Sequence, residues 1–539
     1  MHHANWNESE CHVCGNVNPE QIFNIVESRV LDEYGKVTHA RKVSPKEWNK
    51  YFENYSSSQN KGFDQDIDLP KVNFKIPNLV KQFLIFAKRD ILSKLSNTQY
   101  LIINFLEAPV LAFILAYLIK YFNITGTDGY TLSENSNLPV YLFMSVIVAI
   151  FVGLSVSAEE IIKDRKILKR EAFLNLSWNS YLMSKVAVLF AISAIQALTF
   201  VLIGNTIIEI RGMYFQYWLV LFSAWAASNV MGLIISDSFK TVVTIYILIP
   251  FLVIPQIILS GVIVKYEKLN PYLSTPHNVP VFGEIITARW AYEALAVYQY
   301  TQNDYEKLIY KFEKAKRRAD FKKNYWIINL RNKADYAIEN LNKSADPLKY
   351  INSLKVLHNE IKLENTENPL VKFNEAEVLK PGKVTKEVLL NVKTYLDKLN
   401  RYYIQLSNKA NDQKDELIRQ YQSTDEKKAA FLKMKMANYN EKLTEFVTNS
   451  SEPDRIVEYK GRLYQKEYPI YLDPEPNFIK AHFYAPRKKI FGQYVGTLWV
   501  NVMVIWFSIL TLYVVLYFRL LKKVLDNLEQ FLDNFTNNK

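Results

Sequence analysis

The stretch "AIFVGLSVSAEEIIKDRKILKREAF", residues 149–173, changes character after its tenth position. Ala149–Ala158 carries no charge, whereas nine of the next fifteen residues are charged. The densest part, Asp164–Glu171, holds six charges in eight positions. The apolar part ends a run that starts at Leu138, and a second run, Met183–Ile207, follows the charges. Two runs of bilayer length on either side of a charged segment place the runs across a membrane and the charges at its surface.

A hydrocarbon core of ~30 Å takes roughly 20 helical residues to cross. Six windows meet that length: Tyr100–Phe122, Leu138–Ala158, Met183–Ile207, Phe215–Ile235, Val242–Val264 and Tyr494–Tyr517. Five such runs between residues 100 and 264 argue against buried helices of a soluble core. By contrast, residues 1–99 and 265–490 are rich in Lys, Glu, Asn and Tyr. The mean hydropathy of −0.09 therefore averages a membrane part and soluble parts. The net charge of +12 fits Lys and Arg gathered on a cytoplasmic face, so nucleic acid is not an expected partner. The first thirty residues hold no sustained apolar run, so no signal peptide is expected. With Cys11 and Cys14 as the chain's two cysteines, a disulfide scaffold is excluded.

Orientation follows from the short connections. Lys71, Lys75, Lys81, Lys88, Arg89 and Lys94 precede the first run. Lys163, Arg165, Lys166, Lys169 and Arg170 join the second to the third, and Arg519, Lys522 and Lys523 follow the sixth. The first and third connections carry only Lys120 and Arg211. Positive charge accumulates on the cytoplasmic side of short loops. Both termini and the charged segment are thus expected in the cytoplasm of a multi-pass inner (cell) membrane protein, with residues 265–490 outside. Ahead of the first run, Ile76, Leu79, Val80, Phe83, Ala87 and Ile91 recur at helical spacing. This predicts a helix over Ile76–Leu95 lying in the interface.

The predicted fold is a mainly α membrane protein of six transmembrane helices preceded by an interfacial helix. A large α+β extracytoplasmic insertion lies between helices 5 and 6. The expected divisions are a cytoplasmic linker region over 1–75, the interfacial helix and helices 1–5 over 76–264, and the insertion over 265–490. Helix 6 follows over 491–518, and a cytoplasmic tail over 519–539. Within the insertion, charged helical patterns over 301–450 predict packed helical hairpins, and "RIVEYKGRLYQKEYPIYL" (455–472) predicts a β-hairpin turning at Lys460-Gly461. No Ser-His-Asp grouping or HExxH motif is present there.

Several polar residues fall inside the runs. Asn104 and Glu107 lie three apart on one helix face, and a carboxylate in hydrocarbon must face protein, water or a partner. Glu107 is read either as a structural polar contact or as part of a transport path. Gln196, Asn229 and Gln256 carry the same two readings, since amides commonly bond across helices. Pro250 and Pro255 permit a kink. Near the start, "CHVCGNVNPEQ" (11–21) resembles half a zinc site: Cys11 and Cys14 suit Zn²⁺, yet a structural site needs four ligands. The pair is read as a zinc half-site, a thiol redox pair or an inert reduced pair. Asn18 and Pro19 then open a short helix, and Ser56–Asn60 is expected to be a loop.

The order of these pieces resembles the transmembrane domain of type 2 ABC exporters, the G subfamily above all. "KQFLIFAKRDILSKLSN" (81–97) is similar to that family's connecting helix. "EEIIKDRKILKREAFLNLSWNSYLMSKV" (159–186) resembles its charged loop, with a Tyr–Lys entry into the third span. "IPQIILSGVIV" (254–264) is similar to its Pro/Gly pattern in span five. "ITARWAYEAL" (286–295) resembles the Ser-Pro-x-Arg-Tyr-x-x-Glu-Ala-Leu element, though Thr287-Ala288 replaces the Ser-Pro. The resemblance covers about 76–300 and 485–523, and the insertion is longer than usual for the family.

The resemblance implies the membrane-spanning permease part of an ATP-driven exporter that works by alternating access, as a homodimer in membrane lipid. A nucleotide-binding domain would dock on the 159–180 loop through Glu159, Glu160, Asp164, Arg165, Lys169, Arg170 and Glu171. Positive charge alone would serve topology. Mixed charge favours a specific protein contact as well. Asn104, Glu107, Asn229, Pro255 and Gln256 are the transport-path candidates. No catalytic residue is expected, because G-x-x-x-x-G-K-[ST] is missing: Gly35-Lys36 and Gly382-Lys383 are each followed by Val. ATP and magnesium then belong to a partner ATPase, on a separate subunit or on an upstream part of a longer chain for which 1–75 would be the linker. The competing reading is a membrane-anchored signalling or scaffold protein with a ligand-binding outer domain. An ion-coupled carrier would show internal repeats and broken helices, which are not evident.

Overall fold

The computed structural model describes residues 19–58, 77–122, 129–174, 176–270, 272–275, 278–341, 346–476 and 478–537 of the chain. Cys11, Cys14 and Asn18 lie outside them. Contacts divide the chain into two compact units, Met1–Lys75 and Ile76–Lys539.

In the first unit, α1 (Pro19–Glu27) begins at its proline, and β1 (Arg29–Leu31) and β2 (Val37–Arg41) form an antiparallel hairpin that the sequence reading missed. Its turn is held by an Asp32 carboxylate oxygen, which accepts the amides of Tyr34 (3.0 Å) and Lys36 (2.7 Å). Helix α2 (Pro45–Ser58) is started by a reciprocal cap, Glu47 N–H to Ser44 Oγ and Ser44 N–H to Glu47 Oε2. The loop expected at Ser56–Asn60 therefore does not begin at Ser56, because Ser56–Ser58 continue the helix; 59 and 60 lie outside the described residues.

The second unit opens with α3 (Leu79–Ser96), capped by Asn78, and α4 (Thr98–Ile119). Next come α5 (Leu138–Ser157), α6 (Glu160–Glu171), α7 (Trp178–Ile208), α8 (Tyr214–Ser238) and α9 (Val242–Ile258). Near the C-terminus stand α18 (Thr497–Tyr517) and α19 (Leu520–Asn537), and α10–α17 fall between. Among the described residues five stretches are long and apolar enough to cross a membrane: α4, Leu138–Glu171 (α5 with α6), α7, α8 and α18. Helix α9 is apolar but only 17 residues long, ending well before the expected Val264. The sixth apolar helix starts at Thr497, because Gln493–Gly496 belongs to a strand.

Helices α5 and α8 pack closely because each offers small residues four apart, Gly153 and Ser157 against Ser228 and Gly232. A Cβ on Gly153 would stand 2.9 Å from the Trp225 carbonyl oxygen, and one on Gly232 would stand 3.1 Å from that of Leu154. In α3 the buried residues are Gln82, Phe86 and Asp90, while the apolar Leu79, Val80 and Ile91 stay exposed. Two polar residues thus pack inward beside Phe86, while part of the apolar stripe faces outward.

After α9 the chain builds the insertion: α10 (Val281–Ile285), α11 (Thr287–Thr301), α12 (Glu306–Phe321), a π-helical segment Lys322–Trp326, and α13 (Ile327–Glu339). Then follow α14 (Pro347–Glu367), α15 (Lys386–Tyr421), α16 (Asp425–Asn438) and α17 (Glu441–Thr448). The hairpin of β3 (Ile456–Tyr459) and β4 (Arg462–Gln465) turns at Lys460-Gly461. A second hairpin, β5 (Arg487–Ile490) with β6 (Gln493–Gly496), leads into α18. The insertion has its own core, including Trp326, Leu330, Leu357, Val392 and Leu396. Buried α11 instead joins the core of the apolar bundle.

Candidate functional site

The charged segment folds as α6, and its charges divide into an inward and an outward set. Its N-cap, Glu159, gives no side-chain cap. Ser236 of α8 replaces it, with Ser236 Oγ accepting the amides of Ile161 (3.0 Å) and Ile162 (3.1 Å). In return Arg165 donates to the carbonyls of Ser236 (3.0 Å), Asp237 (2.8 Å) and Phe239 (2.5 Å) at the end of α8. Each helix satisfies the orphan backbone groups of the other.

Beside this joint lies a buried ion cluster. Lys185 of α7, 4% exposed, stands 2.5 Å from Asp90, 3.1 Å from Glu160 and 3.0 Å from Asp164. Lys94 of α3 adds 2.7 Å contacts to Asp90 and Glu160, and Tyr181 donates to Asp164 at 2.9 Å. Burial alone would raise the Asp90 carboxyl, yet Lys185 and Lys94 hold it below its ordinary value. Arg89 clamps Glu171 at 2.7 Å, and Glu159 accepts from Tyr246 and pairs with Lys163. Of the seven predicted coupling residues, Glu159, Glu160, Asp164, Arg165 and Glu171 are therefore engaged within the protein. Lys169 and Arg170 are exposed, and so is Lys166. Asp90 and Ser236 were not singled out by the sequence reading, which used Lys94 for orientation alone and Tyr181 and Lys185 only as the Tyr–Lys entry into the third span. Only their place beside the charged loop hinted at more.

The transport-path candidates make their contacts at separate places. Asn104 Nδ2 donates to the Tyr100 carbonyl, and Gln196 Nε2 donates to the Asn104 carbonyl (2.9 Å each). Asn229 Nδ2 donates to Ser193 Oγ at 2.7 Å. Gln256 Oε1 accepts the Ala288 amide at 2.9 Å, tying α9 to the start of α11. Pro255, partly exposed, lies inside α9, and Glu107 is partly buried. A second buried cluster joins α11, β5 and α18. Lys488 donates to Glu293 (2.6 Å) and Asn501 (2.8 Å), Asn501 Nδ2 donates to Glu293 (2.9 Å), and Arg289 lies 3.6 Å from Glu293 and 3.2 Å from Glu284. Among the described residues no group of three or more His, Cys, Asp or Glu is arranged to hold a metal.

Comparison with known proteins matches residues 81–300 to the ABC-2 type transporter family. The chain is also similar to ABC transporter G family member STR of Medicago truncatula, 20% identical over 242 residues. That alignment takes in 44% of this chain and 28% of the relative, so the chain spans less than a third of the curated protein it matches. ABC-2 membrane domains are the permease part of a transporter, distinct from its ATPase. Residues 81–300, which hold most of α3 through most of α11, thus match an ABC-2 type transporter membrane domain, and the likeness extends to a G family member.

Proposed function

We propose that the chain is the membrane-spanning permease part of an ATP-driven exporter, and that a nucleotide-binding domain docks on α6. The observation that supports this reading most is the division of charge on α6. Its inner charges fix it to α3, α7 and α8, which gives a rigid mount, while Lys166, Lys169 and Arg170 present an unpaired basic surface among the described residues. Coupling is then assigned to that outer trio, and the inner carboxylates act as positioning residues. ATP and magnesium are held by the partner ATPase domain, and alternating access moves substrate outward.

In the same reading α9 is the sixth crossing. At ~1.5 Å per residue it spans roughly 26 Å, a little short of a ~30 Å core, and Pro250 and Pro255 allow it to flex. The termini and α6 are cytoplasmic and the insertion is extracytoplasmic. Two copies pair so that the exposed apolar residues of α9, such as Ile247, Phe251 and Ile254, face a partner. The five path candidates then contribute at or near that seam. The test is photocrosslinking from position 169 in native membranes. Capture of a segment bearing a Walker A motif, on a subunit or on the same longer polypeptide, is expected. Its loss on reversing Lys166 and Arg170, the two outer charges that remain beside the probe, supports the docking face, and capture of no such segment would overturn it.

A further inference from the structure

A cavity of about 450 Å³ lies in the insertion, between the start of α12, α16, α17 and the segment around Tyr471. Its rim reaches solvent at Glu441 and Ser450, both exposed. Glu306, 3% exposed, lines it with Oε2 buried and without a hydrogen-bond partner among the described residues. Its backbone amide is already used, donating to Asn303 Oδ1 at 2.8 Å. An unpaired buried carboxylate oxygen is costly; its place in the first turn of α12 favours a carboxylate but does not account for burying it.

The rest of the wall is aromatic and acidic. Tyr300, Tyr305, Tyr439, Tyr468 and Tyr471 line the cavity, and four carboxylates stand there against two cations, Arg317 and Lys435. Arg317 is committed, 3.1 Å from Glu313 and 4.6 Å over the Tyr468 ring. Lys435 stands 5.6 Å from the centroids of both Tyr305 and Tyr439. The protein thus already places an ammonium against this aromatic pair, though not in contact with Glu306. Tyrosine faces attract desolvated cations through their quadrupoles, and a carboxylate supplies the complementary charge.

The geometry points to a binding site for a small organic cation, a substituted or quaternary ammonium, held between Glu306 and the tyrosine faces with Lys435 as its competitor at the wall. Burial and the neighbouring Glu313 push the Glu306 carboxyl up to about 8, so with no counter-charge in place it holds a proton at neutral pH, and an entering cation takes that proton's place. This site is independent of the exporter reading, since it concerns only what the insertion binds.

The experiment is calorimetric titration of the full chain in nanodiscs with choline, and with its neutral isostere 3,3-dimethyl-1-butanol. Choline is expected to bind saturably, about tenfold or more tighter than the alcohol. Glu306→Gln is expected to erase most of that preference, and Lys435→Gln to tighten choline several-fold by removing the competing ammonium. Equal binding of the two probes, or no saturable choline binding in the millimolar range, overturns the proposal with the wild-type chain alone. A preference for choline that Glu306→Gln leaves intact, in a variant melting like the wild type, overturns the assignment to this cavity.

Discussion

Two of the places where the chain buries lysine against carboxylate differ in how completely the charges are answered. Around Lys185, three carboxylates meet two ammoniums and a phenol, and no buried polar atom of Asp90, Lys94, Glu160, Asp164 or Lys185 is left without a partner among the described residues. Around Lys488 the contact is drier and poorer. Arg289, Glu293 and Lys488 are 0% exposed, yet Arg289 Nε and Nη2, Glu293 Oε1 and Glu284 Oε1 lack hydrogen-bond partners among the described residues. A fully satisfied network makes one rigid arrangement, whereas a half-satisfied one leaves alternatives close in energy. The α6 end is built to hold its shape, and the α11 end retains room to repack.

The largest effect that would test this contrast is Lys185→Met. It leaves three carboxylates facing Lys94 alone, and the expected loss is about 3–5 kcal/mol, read as a drop in melting temperature in detergent. Lys488→Met should cost less, about 1–3 kcal/mol, because Arg289 remains to face Glu293. A greater loss at Lys488 than at Lys185 would reverse the comparison. The pH dependence of the same site follows from its burial. Burial lowers the Lys488 ammonium to about 8, against the pull of Glu293. For a lysine with a depressed folded value, the unfolded chain holds more protons between about 8 and the ordinary lysine value near 10.5. Stability from this group therefore rises as pH climbs through that window. Thermal melts from pH 7 to 10 should show a gain in the wild type relative to Lys488→Met, and parallel curves would remove the burial argument.

Smaller again is Ser236→Ala, which strips the cap from α6 and should cost about 1 kcal/mol, visible as faster amide exchange at Ile161 and Ile162. Smallest in stability is the reversal of Lys166, Lys169 and Arg170 to Glu, expected within about 0.5 kcal/mol of the wild type per position. On the reading proposed above, that variant still folds and loses its ATPase partner.

Much of the apolar architecture was legible because a bilayer-length run leaves few alternatives. The windows at Leu138, Met183 and Phe215 fall inside observed helices, and the turn at Lys460-Gly461 sits where alternation predicted it. What escaped was local chemistry hidden by hydropathy. Tyr494 and Val495 look like the start of a span but form β6, because Phe491 and Gly492 (φ 48° and 84°) make a tight hairpin turn just before them. The hairpin at 29–41 carries too few apolar residues to show a period, although Asp32 and Gly35 mark its turn. In the candidate site the charges of α6 were legible, but their division was not. Asp90 and Lys185 lie 95 residues apart, and Lys94 and Glu160 lie 66 apart, so only tertiary packing tells which charges turn inward.

The mutual capping of α6 and α8 has a consequence for the order in which the chain is made. The amide of Ile162 and the hydroxyl that caps it are 74 residues apart. At roughly 5–20 residues per second of synthesis, α6 waits about 4–15 s for its cap to emerge. Alone it is a twelve-residue helix, too short to persist in water. During that interval its lysines and arginines are bare, which is when membrane insertion reads them. Only later does Arg165 find the carbonyls at the end of α8. One short segment can thus sort the nascent chain first and brace the finished one afterwards, with time separating the two tasks.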